Sequence, residues 1–359
     1  MNREIIGKRI RRIRRELNKK KIDCLIVTKP ANVTYTTGFM GDDSWAIITR
    51  RAVYLLTDSR YTEQAEKECI GCKITARTNS MAEAVGKLRR KLKTVRNIGI
   101  EKSTSLAAFE SLKKQAKLRL KAVSDIIETV RRTKDSGEIV AIKASASIAA
   151  KALKQTVGYI KPGVTESELA GALDFQIRKL GATNSFDTIV AFGPNASRPH
   201  HQPSKRKLKK RDTVLIDFGA RYKGYCSDIT RSFAVGKPTR FFEKVYEAVH
   251  QAQEEAIKTI KAGIDMVKVD SAARQAIRRC DLPVYEHGTG HGFGLEIHEV
   301  PFLKVQSKGK LKAGDVITIE PGVYIPGKLG VRIEDDVLVT DTGCKILTRS
   351  CPHRLKLSN

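Results

Sequence analysis

Five residues in the second half of the chain carry groups able to hold a metal ion: Asp217, Asp228, His291, Glu320 and Glu334. Asp217 closes the apolar stretch Val214-Leu215-Ile216 and is followed by Phe218-Gly219. Asp228 stands eleven residues on, in Ser227-Asp228-Ile229-Thr230-Arg231, which reads as the partner strand of a hairpin. An acid in an apolar strand is costly to bury unpaired. Two of them on one hairpin can face a common point, where a cation would relieve both. His291 lies in His287-Gly288-Thr289-Gly290-His291-Gly292-Phe293-Gly294, too glycine-rich for a helix and suited to a close backbone approach. Glu320 follows the strand Val316–Ile319, and Glu334 follows Val331-Arg332-Ile333 ahead of the apolar Val337–Val339. Four carboxylates and one imidazole suit Mn²⁺, Fe²⁺, Co²⁺ or Zn²⁺ without any thiolate. Four negative charges offset two divalent cations, and metals roughly 3.5–4 Å apart activate water and clamp an attacked carbonyl.

The elements that must position these groups can be read from periodicity. In the first half, Ile6, Ile10, Ile13 and Leu17 fall at helical spacing, predicting a helix over 3–20 that leads into a strand at 24–28. Strands are expected at Trp45–Thr49 and Val53–Thr57 around an Arg50-Arg51 turn, and at Asn97–Ile100. Helices are expected near 60–68, 80–93 and 104–118. This is an α/β pattern with a mixed sheet. A long helix follows over 136–159, capped by Asp135 or Ser136 and stopped at Lys161-Pro162-Gly163. Thr165 and Glu168 form a capping-box pair for the next helix, which Gly181 ends, and two more helices are expected at 240–260 and 266–280. No tandem motif repeat is visible. The domain boundary is placed near 130–134, giving domains 1–130 and 131–359.

Composition bounds the rest. The 359 residues are 41% hydrophobic and 30% charged, as in ordinary globular proteins. No apolar run approaches the roughly 18 residues of a membrane span, and Met1–Leu17 lacks the apolar core of a secretory signal. The seven scattered cysteines fit reduced thiols and a cytoplasmic location. The net charge of +28 is distributed, with 29 basic against 14 acidic residues in 1–130 and 38 against 25 in the remainder. A dedicated nucleic-acid module concentrates such charge on one face or tail, so neither a membrane nor a specific nucleic-acid partner is expected.

The ordered five-ligand pattern resembles the metallopeptidase family with the pita-bread fold, which includes methionine aminopeptidase, aminopeptidase P and prolidase. By that resemblance Asp217 chelates one metal, Asp228 and Glu334 bridge both, and His291 and Glu320 bind the other. His298, seven residues after His291, matches the family's substrate-contacting histidine. Ala191-Phe192-Gly193-Pro194-Asn195 with Arg198-Pro199-His200 is similar to the segment carrying its other histidine, so His200 inherits a substrate or intermediate role. Asn32–Phe39, Leu56–Tyr61 and Arg132–Ile139 are similar to a creatinase-like N-terminal domain and linker, as in the proline-specific branch. The implied architecture is an α/β creatinase-like domain followed by an α+β pita-bread catalytic domain.

The resemblance implies a dinuclear metallopeptidase, with Mn²⁺ placed first and Co²⁺ or Zn²⁺ as alternatives, acting as a homodimer on peptides with proline in second position. A metal-activated hydroxide attacks the carbonyl before proline, Glu320 takes and passes the proton, and His200 and His298 bond the intermediate. Arg332 and His287 are candidates for substrate contact or for orienting ligands. An Xaa-Pro aminopeptidase is the first reading and an Xaa-Pro dipeptidase (prolidase) the alternative, in which Arg198 or Arg332 would receive the substrate carboxylate. A non-catalytic peptide- or nucleic-acid-binding protein on the same fold is the reading from another class. The basic run Lys205–Arg211 departs from the family pattern and raises the expectation of altered substrate access.

Overall fold

The computed structural model describes residues 3–92 and 94–353. The chain divides into two compact units, Met1–Arg131 and Arg132–Asn359. No helix among the described residues is long and apolar enough to cross a membrane.

The first unit holds helices α1 (Arg3–Lys19), α2 (Pro30–Thr37), α3 (Thr62–Glu68), α4 (Met81–Lys91), α5 (Leu106–Gln115) and α6 (Ile126–Arg132). Its strands are β1 (Cys24–Val27), β2 (Trp45–Thr49), β3 (Val53–Asp58), β4 (Lys73–Arg77), β5 (Ile98–Glu101) and β6 (Leu120–Val123). They form one mixed sheet in the order β4-β3-β2-β1-β5-β6. The four apolar residues at helical spacing in α1 are all buried, so the helix lays one face on the core as its pattern requires. Strands β4 and β6 were not foreseen. Both are edge strands, β4 with no buried residue and β6 with only Val123, so neither carries an apolar signal. Helix α2 is short and rich in Asn and Thr, and was missed for the same lack of pattern.

The second unit holds α7 (Ser136–Thr156), α8 (Glu166–Lys179), α9 (Arg240–Thr259) and α10 (Met266–Arg279). Its strands are β7 (Thr183–Asn184), β8 (Ile189–Phe192), β9 (Thr213–Phe218), β10 (Ala220–Tyr222), β11 (Tyr225–Cys226), β12 (Ile229–Ala234), β13 (Gly290–Gly292), β14 (Glu299–Leu303), β15 (Val316–Ile319), β16 (Gly322–Ile325), β17 (Leu329–Arg332), β18 (Asp335–Val339) and β19 (Cys344–Ile346). Capping boxes at Asp135–Glu138 and Thr165–Glu168 start α7 and α8.

The backbone of this unit repeats although its residues do not. α7, a turn at 161–164, α8 and the β9–β12 hairpin pair are matched by α9, a turn at 261–264, α10 and β15–β18. Equivalent bonds tie each turn down: Gly163 N–H to Leu208 O and Gly263 N–H to Leu311 O, both 2.9 Å. Val235 N–H to Asp212 O and Val339 N–H to Asp315 O, also 2.9 Å, close each strand pair alike. Asp217 is the fifth residue from the start of β9, and Glu320 the fifth from the start of β15. The repeat escaped sequence inspection because it lives in backbone hydrogen bonds and in polarity, not in side-chain identity.

The second copy also fixes the glycine-rich segment. Asp270 on α10 accepts from Thr289 Oγ1 at 2.7 Å and pairs with Arg274 at 2.8 Å. Arg274 in turn donates to Tyr285 O and His287 O, both at 2.6 Å. A Cβ at Gly290 would sit 1.9 Å from Thr318 O, a backbone atom that cannot swing away. Gly290 is there to let β13 meet β15. Gly290→Ala is expected to lower the stability of metal-free protein by about 1–3 kcal/mol through a forced backbone shift, read as a fall in the urea midpoint. A change below about 0.5 kcal/mol, the range of neutral surface substitutions, would show that this approach is not constrained.

Candidate active site

A cleft of about 910 Å³ in the second unit is lined by Asp217, Asp228, His291, Glu320 and Glu334, together with His200, His287, His298 and Arg332. Nine residues from six separate stretches of chain thus meet in one place. Asp217 comes from β9 and faces Thr230 of β12 across the ladder. Asp228 stands one residue before β12, not within it as expected, and its N–H donates to Asp336 Oδ2 at 3.3 Å. His291 is the middle residue of β13, and Glu320 and Glu334 leave β15 and β17.

Ligand atoms of Asp228, His291 and Glu334 all lie within 4.8 Å of one another. His291 Nε2 is 3.4 Å from Glu320 Oε1 and 3.7 Å from Asp228 Oδ2. Its Nδ1 lies 3.1 Å from Gly292 O. A carbonyl only accepts, so Nδ1 carries the proton and the Nε2 lone pair points at carboxylate oxygens. Burial pushes the His291 pKa down, so the ring is neutral and cannot answer those charges itself. Burial, then repulsion from Glu334, Asp217 and Glu320, drives the Asp228 pKa well above the usual carboxylate range. Burial and the charges of Glu320 and Asp217 do the same to Glu334. Asp217 Oδ1 is buried without a hydrogen-bond partner among the described residues. A lone pair and an orphaned carboxylate oxygen converging on other carboxylates fit a divalent cation site, and the donor set suits hard or borderline metals.

Hydroxyl and guanidinium groups hold the ligands in place. Thr230 Oγ1 donates to Glu334 Oε2 at 2.6 Å and accepts from Arg332 Nε at 3.1 Å. Thr318 Oγ1 accepts from His291 N–H and donates to Glu320 Oε1, both at 3.1 Å. Arg332 pairs with Asp217 at 2.6 Å and donates to the Tyr324 hydroxyl at 2.7 Å. That hydroxyl lies 3.0 Å from His287 Nε2, while His287 Nδ1 lies 2.8 Å from Gly288 O. By the same reasoning His287 Nδ1 donates to the carbonyl and Tyr324 donates to Nε2.

Of the two roles expected for His287 and Arg332, the hydrogen bonding in the cleft favours orienting other groups. His287 has both ring nitrogens engaged, and Arg332 is 3% exposed with its guanidinium spread over Asp217, Tyr324, Thr230 and Pro199 O. Both orient other groups. Arg198 does not line the cleft and donates to Asn195 at 2.6 Å. Lys205–Arg211 lies outside the cleft lining as well, and Arg206 is turned to Asp212 at 2.9 Å. His298 is exposed in the cleft lining, its ring centre 4.4 Å from that of His291, and His200 is exposed on another lining segment. Sequence reading missed Thr230, Thr318, Tyr324 and Asp336. The two threonines lie on strands next to ligands in the ladder, a signal that pairing register alone supplies. It also missed His201, whose Nε2 pairs with the buried Glu166 at 2.8 Å and fixes the segment bearing His200.

Residues 140–341 match the model of metallopeptidase family M24, and residues 9–133 match the creatinase/prolidase N-terminal domain. An Xaa-Pro dipeptidase of Pyrococcus horikoshii is 35% identical over 354 residues, covering 97% of this chain and 98% of its own. The solved structure of an Xaa-Pro dipeptidase from Bacillus anthracis is 36% identical, with a TM-score of 0.93 over 98% of this chain and 99% of that one. An X-Pro aminopeptidase from Thermotoga maritima is 35% identical, with a TM-score of 0.88 over 96% and 99%. The fold is therefore a creatinase N-terminal domain followed by the pita-bread catalytic domain. With the cleft built as described and likeness extending over nearly the whole of each chain, this protein belongs to metallopeptidase family M24 and is a metal-dependent peptidase.

Proposed function

We propose that the chain is a dinuclear Xaa-Pro dipeptidase, with Asp217, Asp228, His291, Glu320 and Glu334 holding two divalent ions, Mn²⁺ in first place. The observation that carries the metal assignment is the His291 Nε2 lone pair aimed at Glu320 and Asp228 among four clustered carboxylates. Sequence reading ranked the aminopeptidase first. The balance moves to the dipeptidase because relatives of matched length from Pyrococcus horikoshii and Bacillus anthracis carry that name. The Thermotoga maritima neighbour keeps the aminopeptidase as the second reading. A homodimer in the cytoplasm, expected from the resemblance and the reduced cysteines, belongs to the same proposal.

Bound metals would lower the pKa of a water and polarise the scissile carbonyl. The chain's own groups do the rest. Glu320, whose Oε1 lies 3.4 Å from His291 Nε2, is the carboxylate that takes a proton and returns it to the leaving nitrogen. His298 and His200, both lining the cleft, would donate to the substrate carbonyl. Because burial lowers the His298 pKa, it does so as neutral imidazole. Proline offers no N–H when bonded in a peptide, so its ring is held by shape. Phe186, Ile189, Ile297 and Phe302 supply that apolar wall.

Metal-stripped full-length protein should be inactive on Ala-Pro and Ala-Pro-Ala, and Mn²⁺ should restore cleavage mainly of Ala-Pro. Restoration on Ala-Pro-Ala alone would favour the aminopeptidase, and none on either with Mn²⁺, Co²⁺ or Zn²⁺ would overturn the Xaa-Pro reading. Glu320→Gln is expected to lower kcat on Ala-Pro by about 10²–10⁴-fold at saturating metal; undiminished turnover would remove Glu320 from its role. Mn²⁺ at 100 times its Kd should stabilise the protein by about 2.7 kcal/mol, read as a rise in Tm that Asp228→Asn abolishes. An equal rise in that variant would place the metal elsewhere.

A further inference from the structure

A dipeptide differs from the start of a longer peptide by one group, the free carboxylate on its proline. A site that prefers dipeptides must give that charge a partner, because an unpaired buried charge is costly. Arg332 is committed to Asp217, Tyr324 and Thr230, and Arg198 lies outside the cleft. Among the described residues lining the cleft, the remaining Lys or Arg is Lys304.

Lys304 sits just beyond β14, whose Phe302 is the Cα partner of His291. Its backbone is fixed there: Lys304 N–H donates to Ser307 Oγ, and Ser307 N–H donates to Lys304 O, both at 2.9 Å. Its Nζ lies 5.9 Å from the centre of the Phe302 ring, so the side chain leans back along the strand toward the His291 end. Among the described residues no carboxylate pairs with it. Lys304 thus brings a cation to the cleft lining beside the apolar ring of Phe302, the pairing of charge and apolar surface that a proline carboxylate calls for.

We propose that Lys304 receives the C-terminal carboxylate of the substrate and so sets the preference for dipeptides over longer peptides. This rests on the Xaa-Pro dipeptidase reading above. A longer peptide would present an uncharged peptide group at this position and forfeit the ion pair.

The test compares Ala-Pro, Ala-Pro amide and Ala-Pro-Ala on Mn²⁺-loaded full-length protein, wild type against Lys304→Met and Lys304→Arg. Lys304→Met keeps the apolar stem and is expected to raise KM for Ala-Pro at least about 10-fold, as loss of a hydrogen bond to a charged group does. Its kcat should hold, and the amide, which has no carboxylate to lose, should shift less than about twofold, well under that tenfold step. Lys304→Arg should restore most of the Ala-Pro affinity. An unchanged KM for Ala-Pro, or equal losses on acid and amide, in a wild type that does prefer Ala-Pro would overturn Lys304 alone. A wild type that cleaves the amide and tripeptide better than Ala-Pro would overturn the dipeptidase reading on which it rests.

Discussion

Mutual repulsion among Asp217, Asp228, Glu320 and Glu334 is the constraint on which the catalytic unit depends. Burial, and then the charges gathered in the cleft, raise the cost of ionising Asp228, Glu320 and Glu334. The surrounding structure answers that cost group by group. Arg332 takes Asp217, Thr230 takes Glu334 and Thr318 takes Glu320. Among the described residues Asp228 receives no such partner, and Asp336 behind it, also driven up by burial, accepts from its N–H. The compensation is thus partial, and the deficit lies where the His291 lone pair points. A site built to hold cations has this signature, since full compensation by protein groups would leave nothing for a metal to do.

The repeat within the second unit explains how so many acids can be brought together without losing the fold. Each copy delivers one strand-end acid, Asp217 or Glu320, from the same place on a strand pair anchored by the same turn bonds. The hydrophobic cores behind them are separate, one under α8 and β9, the other under α10 and β15. Asp217 and Glu320 line the cleft, while Val214, Ile216, Ile317 and Ile319 point into the cores. Strand alternation makes this division possible, because one face can be apolar while the other carries ligands.

Around this centre the histidines divide by what their ring nitrogens already do. His291 has one nitrogen committed to a backbone carbonyl and one lone pair facing the acids. His287 has both committed, through Tyr324 to Arg332, so it relays orientation. His200 and His298 stay at the accessible side, available to whatever enters. One residue type thus serves three tasks, and local hydrogen bonding assigns them.

The candidate residues of the centre were legible in sequence because each acid stands within or beside an apolar stretch, and His291 sits among glycines that only close backbone packing explains. The order of the elements was legible too, since α1, α7 and the β2–β3 turn carry strong periodicity or caps. Edge strands β4 and β6 were not, because exposure removes the apolar pattern that marks a strand. Nor could sequence separate Arg332 and Arg198 as receivers of a substrate charge, or show that Lys304 faces the cleft. Those outcomes depend on which charges lie within hydrogen-bond reach after the chain has folded. Arg332 and Asp217 are 115 positions apart yet 2.6 Å in space, and residue type alone says nothing of that distance. Sequence by itself determined the donor set, because ligand chemistry resides in the residue. Tertiary structure decided which cation is spent on the site and which remains for the substrate, because pairing is a property of position.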